Sequence, residues 1–192
     1  MKILVEVHAL QNFAPSNLNR DDTGAPKDAM FGGTRRARVS SQCLKRAVRE
    51  FFREQDSGWV AHRTKRIVDA LTERLLERGV EKAEEGKEER VQKAVEAAIG
   101  ALGTKDKKVK VDKERKTDVL LFLSPNEIDA LESAIATHYA DLLKAKPTAA
   151  AVKEINDAIA GEEKSRLSLD VALFGRMLAV MPEKNQHAAC QV

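Results

Sequence analysis

Side chains suited to gripping phosphate are concentrated between Asn17 and Gln42. Arg20, Lys27, Arg35, Arg36 and Arg38 are spread along a segment that also holds Phe31-Gly32-Gly33 and ends in Ser40-Ser41-Gln42. Arginine forks onto phosphate oxygens, a glycine pair lets backbone approach a ligand closely, and serines at a helix start aim N–H and O–H donors at an anion. The basic run continues past the serines as Lys45, Arg46, Arg49 and Arg53. Positions 42, 45 and 49 step by three and four, which lines their side chains along one flank of a helix. These residue types in this order describe a cradle for the sugar-phosphate backbone of a nucleic acid.

The same segment offers a second chemistry. Asp21, Asp22 and Asp28 are carboxylates of the kind that hold a divalent metal for cleavage of RNA. Adjacent carboxylates in loops are more often turn formers or partners of nearby arginines. Binding without catalysis, and without a metal or other cofactor, is therefore expected, with a metal-dependent ribonuclease as the alternative. A further alternative is a protein-interaction module in which the helical middle docks partners and the basic loop is incidental. His8, His62, His138 and His187 have no ligand-like spacing, and Ser40-Ser41 has no recognisable His and Asp partners. The chain contains no phosphate-loop or dinucleotide fingerprint.

The elements that must position these residues follow from periodicity. Lys2 to Leu10 alternates, with Ile3, Val5, Val7 and Ala9 on one face, and predicts a first strand with one buried side. Gln11 to Val39 is rich in Asn, Asp, Gly and Pro and predicts a long loop, a length usually tied to function or disorder. Ser40 or Ser41 caps a helix with Leu44, Ala47, Val48, Phe51 and Phe52 at helical spacing. Helical sequence resumes near Trp59, with Ile67, Leu71 and Leu75 as a stripe ending near Gly79, and again from about Glu81 to Leu102. Thr104 to Asp118, with its Lys-rich stretch Lys105 to Lys116, is a hydrophilic connection, either loop tip or short hairpin. After the apolar run Val119 to Leu123, Ser124-Pro125-Asn126-Glu127 spells a capping box and a helix to about Lys144. A fourth helix spans about Thr148 to Ala160, closed by Gly161, and Leu167 to Met181 is a final apolar segment.

Charge is unevenly distributed. The 192 residues have a formal net charge of +3, but residues 1 to 53 hold ten Lys or Arg against five Asp or Glu. The remainder holds 23 basic against 25 acidic residues, so the positive field belongs to the N-terminal third and favours an anionic partner there. Two distant cysteines, Cys43 and Cys190, suit neither a zinc site nor a disulfide framework and fit a reducing cytoplasm. No apolar run reaches the roughly 20 residues of a membrane span.

Leu18-Asn19-Arg20-Asp21-Asp22, Lys27-Asp28, Phe31-Gly32-Gly33, Arg35-Arg36, Arg38-Val39-Ser40-Ser41-Gln42 and Leu44-Lys45-Arg46-Ala47 resemble the N-terminal signature of the Cascade backbone subunit of CRISPR systems, the CasC or Cse-four family of type I-E. Val171-Ala172-Leu173-Phe174-Gly175-Arg176-Met177 resembles a second motif of that family. The resemblance implies an α+β fold with an RRM-like (ferredoxin-like) palm, here incomplete, and a large helical insertion. Residues 1–55 would form the N-terminal part of the palm with its basic RNA-binding loop, 56–164 the insertion, and 165–192 the return to the palm. The thumb and the rest of the palm are absent, so the sequence resembles the first half of such a protein. The resemblance further implies a structural subunit whose copies line up along one CRISPR RNA, with target DNA and other Cascade subunits as partners. RNA contacts are implied for Arg20, Ser40, Gln42, Lys45 and Arg49, with Met177 near displaced bases.

A guide whose sequence varies freely must be held by phosphate and 2′-OH contacts, not by base edges. Aromatic residues make up only 4% of the chain, which argues against a sheet that stacks bases. One phosphate each on Arg20, Lys45 and Arg49 implies that log affinity falls with log salt at a slope of about −2 per subunit. Met177 precedes Leu178, a setting more often that of a core methionine, and only the resemblance draws it toward RNA.

Overall fold

The computed structural model describes residues 3–14, 16–104, 106–160 and 167–192. Lys2, Lys105 and Gly161, which figure in the elements expected above, lie outside them. The chain forms two compact units, residues 1–47 with Val192, and residues 48–191. Its mixture of helices and short antiparallel strand pairs is α+β, as expected.

In the first unit the expected N-terminal strand is not formed. Residues 3–10 have no strand partner among the described residues, and Ile3, Leu4, Val5, Val7 and Leu10 are 77–104% exposed. Alternation prepares a segment for a sheet, but a strand exists only when a neighbour takes up its N–H and C=O groups. The unit's sheet comes instead from within the segment expected to be loop: β1 (Asp28–Phe31) and β2 (Thr34–Ala37) pair antiparallel. Gly32 and Gly33 both have positive φ, 62° and 76°, the conformation a two-residue turn between twisted strands requires. The hairpin was concealed because its strands are only four residues long and mix polar and apolar side chains on both faces, with no apolar alternation.

Helix α1 (Ser41–Gln55) starts where expected, and the Ser40 hydroxyl accepts the Cys43 N–H at 3.3 Å as its cap. Its apolar stripe is not buried: Leu44 and Phe51 are exposed. The helix begins in the first unit and ends in the second.

The second unit holds the core. The helix expected from Trp59 is displaced by a short 3-10 turn at Ser57–Trp59 and by β3 (His62–Thr64), which pairs antiparallel with β4 (Leu121–Leu123). Helix α2 (Ile67–Arg78) then buries Ile67, Leu71 and Leu75 and stops at Gly79, whose left-handed backbone returns its N–H to Leu75 and Leu76 carbonyls. Helix α3 (Lys87–Ala101) packs against it and buries Val91, Val95 and Ile99 in the same core. The connection to β4 is tied down at its base: the Asp118 carboxylate accepts the Lys110 and Val119 N–H groups, and Arg115 pairs with Asp69 at 2.9 Å.

Helix α4 (Pro125–Thr137) carries the expected capping box, with Glu127 accepting the Ser124 N–H at 2.8 Å. The single helix expected to reach Lys144 is broken at His138 and restarts as α5 (Tyr139–Leu142). Beside the break, the Thr137 hydroxyl donates back to the Ser133 carbonyl, a bond that loosens a helical turn. Helix α6 (Ala149–Asp157) is capped by Thr148, and α7 (Leu169–Phe174) opens the C-terminal segment. Burial holds the Tyr139 hydroxyl up at about 12, reinforced by its bond to Glu81 at 3.0 Å.

A buried ion pair fastens the C-terminal segment to this core. The side chains of Arg176 and Glu127 are both fully buried and 2.6 Å apart. Arg176 also donates to the carbonyls of Phe122 and Ala160, and Glu127 accepts the Ala160 N–H. Such a pair offsets its desolvation only because its remaining hydrogen-bonding capacity is filled.

Candidate nucleic-acid interface

The first unit organises the basic segment through Asn19 and Asp21. The Asp21 carboxylate accepts the Thr23 hydroxyl at 2.7 Å and the N–H groups of Thr23 and Ala25 at 2.9 Å. The Thr23 hydroxyl, helped by those N–H groups, holds it below the usual carboxylate range. Asn19 takes the Lys27 N–H on its carbonyl and the Ser40 N–H on its side-chain oxygen, joining the turn to the hairpin and to the cap of α1. Asn19 was not expected as an organiser; its place in an Asn-Arg-Asp-Asp turn is the local signal for it.

Register sorts the hairpin's charges onto two faces. Asp28 stands opposite Ala37 and Met30 opposite Arg35, so one face carries Asp28, Met30 and Arg35. Arg35 Nε donates to Asp28 at 2.8 Å, and that carboxylate raises the arginine further above its ordinary value. The other face carries Ala29, Phe31, Thr34 and Arg36. The Arg38 N–H donates to the Lys27 carbonyl at 2.9 Å, which continues the same register by one pair and adds Lys27 and Arg38 to the Phe31 face. Arg36 lies over the Phe31 ring, 5.5 Å from its centroid.

Arg20, Arg36, Arg38, Gln42 and Arg46 are exposed, whereas Ser40 is 5% exposed with its hydroxyl engaged at the helix cap. Lys45 is half-buried on α1. Of the three carboxylates considered as metal ligands, Asp21 is held in its turn and Asp28 by Arg35. Among the described residues no three His, Cys, Asp or Glu side chains are grouped to hold a metal ion.

In the second unit, Arg49 is turned inward. Its Nε donates to Asp170 at 3.0 Å, and its guanidinium lies 5.0 Å from the Phe174 ring centroid and 5.7 Å from that of Phe122. Asp170 is fully buried and also accepts the Ala61 N–H at 2.9 Å and the Ser168 hydroxyl at 2.6 Å. Asp170 was missed from sequence, where Ser168-Leu169-Asp170 reads as an ordinary helix start. Met177 is 77% exposed beside the buried Leu178, so it is not a core methionine.

Residues 5–192 match the CT1975-like protein family. The chain belongs to that family. This CT1975-like chain is also 33% identical to a protein in a solved structure described as a CRISPR RNA-guided surveillance complex, with a TM-score of 0.68 over 92% of its own length and 53% of the other. A second structure, described as a CRISPR RNA-guided surveillance complex, pre-nicking, matches at 32% identity and a TM-score of 0.69, over 91% of this chain and 47% of that one. The chain thus spans about half the length of the proteins it matches. Comparison with curated proteins returns no match. Among the described residues no helix is long and apolar enough to cross a membrane.

Proposed function

We propose that this chain is the RNA-gripping part of a Cascade-type backbone subunit of the CasC kind, whose copies line up along a CRISPR RNA and hold it by backbone contacts without catalysing a reaction. The observation that carries this reading is the 33% identity and shared fold, over 92% of the chain, with a protein of a CRISPR RNA-guided surveillance complex. The surface to which the reading assigns RNA is basic and built from short-range order: Arg20 beside the Asp21 turn, Lys27, Arg36 and Arg38 on one hairpin face, and Gln42, Lys45 and Arg46 on the first turns of α1. Target DNA, neighbouring copies and other Cascade subunits are the partners this role requires, and an RRM-like palm is the fold it implies for the complete subunit. The engagement of Asp21 and Asp28 supports binding over metal-assisted cleavage.

Arg49 fits this role differently from the other basic residues. Its Nε is committed to buried Asp170, so only the outer guanidinium edge is left to meet a phosphate. For that reason Arg49→Glu is a poor probe of binding: it sets two carboxylates against each other in the core.

The test is a titration of the chain with a single-stranded RNA carrying CRISPR repeat sequence, across a range of salt. Each phosphate contact contributes a slope of about −0.7 to log affinity against log salt. Replacing Arg20, Arg36 and Arg38 together by Ala is expected to make the slope shallower by about 2. An unchanged slope would remove these residues from the interface, and RNA cleaved in magnesium by the wild type but not by Asp28→Ala would make the protein a nuclease.

A further inference from the structure

We infer that Phe31, at the tip of the β1–β2 hairpin, is a stacking platform for one unpaired nucleobase of the bound strand. This rests on the RNA-binding reading above and adds to it a contact with a base. Low aromatic content led to the expectation of gripping through backbone charge alone; the hairpin supplies an exception to it.

Phe31 is 71% exposed, an unfavourable setting for an apolar ring that nothing in its own unit covers. It is nevertheless held in place. It forms the last ladder pair, with Thr34, before a turn whose two glycines have positive φ, and the Arg36 guanidinium lies 5.5 Å from the ring centroid. An exposed aromatic ring backed by an arginine is the arrangement that single-strand binders use to stack bases of any identity.

The choice of occupant follows from charge. The face that carries Phe31 also carries Lys27, Arg36 and Arg38 and no carboxylate, while the one acid of the hairpin, Asp28, is on the opposite face with Arg35 and Met30. An aromatic ring on a surface of three cations, with the single carboxylate sorted to the far side, fits a partner that alternates flat rings with phosphates. An apolar protein surface would leave those cations unpaired.

The experiment compares two probes, a short unstructured RNA oligomer and a ribose-phosphate oligomer of equal length without bases, each titrated against the full chain and its Phe31→Ala and Phe31→Trp variants. Stacking on an aromatic side chain corresponds to roughly 5- to 150-fold in affinity per base. Phe31→Ala is expected to lose affinity in that range for RNA while binding the abasic oligomer like wild type. Phe31→Trp, made together with Trp59→Phe so that a single indole reports, is expected to retain affinity and to be quenched by RNA but not by the abasic strand. Equal losses on both probes, no loss on either, or a loss of self-association with RNA affinity intact would overturn the inference and leave RNA binding standing. Failure of the wild type to bind either probe would overturn both.

Discussion

Asp170→Ala tests how the basic helix α1 is anchored. The substitution removes a fully buried carboxylate that receives Arg49 at 3.0 Å, the Ala61 N–H at 2.9 Å and the Ser168 hydroxyl at 2.6 Å. Breaking a buried ion pair costs about 3–5 kcal/mol, and a buried donor left without a partner costs about 1–3 kcal/mol. These overlap, and the Arg49 side chain keeps 27% exposure, so part of its charge regains water. A loss of about 4 kcal/mol is expected, a large share of the 5–15 kcal/mol typical of a folded domain. Asp170→Asn keeps the shape and the acceptor for Ala61 and Ser168 but loses the charge and turns an amide NH2 toward the Arg49 Nε–H, at roughly 2 kcal/mol. Trp59, two residues from Ala61 and packed edge-on against Phe52, provides the fluorescence signal for urea unfolding. With a slope near 2 kcal/mol per molar urea, the midpoint should fall by about 2 M for Ala and about 1 M for Asn. A cycle with Arg49→Met should show a coupling of at least ~0.5 kcal/mol. A midpoint shift below about 0.5 M for Asp170→Ala, or equal costs for Ala and Asn, would refute the ion-pair account.

Gly175 has φ 74° and ψ 170°, and a Cβ there would lie 2.6 Å from the Gln186 carbonyl oxygen. Gly175→Ala is therefore expected to cost at least ~2 kcal/mol, seen as a fall of about 4–8 °C in the melting temperature. Asp141 accepts both the hydroxyl and the N–H of Thr148, the cap of α6, and is held down at about 2 from an ordinary 3.8. Because its folded value is the lower one, its contribution is complete above pH 3.8 and is lost as pH falls toward 2; thermal melts of wild type and Asp141→Asn should converge across that window. Arg176→Met leaves Glu127 charged and unpaired in the core, and circular dichroism should show a loss of about 3–5 kcal/mol, larger than for the double change with Glu127→Gln.

Local rules in the sequence were sufficient for much of the second unit. The stripe Ile67, Leu71 and Leu75, the stop at Gly79 and the capping box at Ser124 depend on contacts within a few residues, and each appears where expected. The clustering of cations ahead of α1 was equally legible, because composition and spacing do not depend on the fold. Short strands were not. β3 and β4 span three residues each and exist through their pairing with one another, a long-range fact that neither segment encodes alone. The alternation of residues 3–10 misled for the complementary reason: its pattern is that of a strand, and the partner is what decides.

By itself, then, the sequence determined which residues are basic, where several of the helices start or stop and that a glycine pair sits within the basic segment. Only the tertiary structure decided what each charge does. Antiparallel register placed Lys27, Arg36 and Arg38 on the face of Phe31 and put Arg35 with Asp28 on the other, because pairing across a hairpin fixes the side of every residue at once. Folding brought Asp170 to Arg49 across 121 positions of chain, fastening the Nε side of a residue expected to contact phosphate. No local periodicity marks such a pair, since what makes it is the exclusion of water from a site that exists only after the helices have packed.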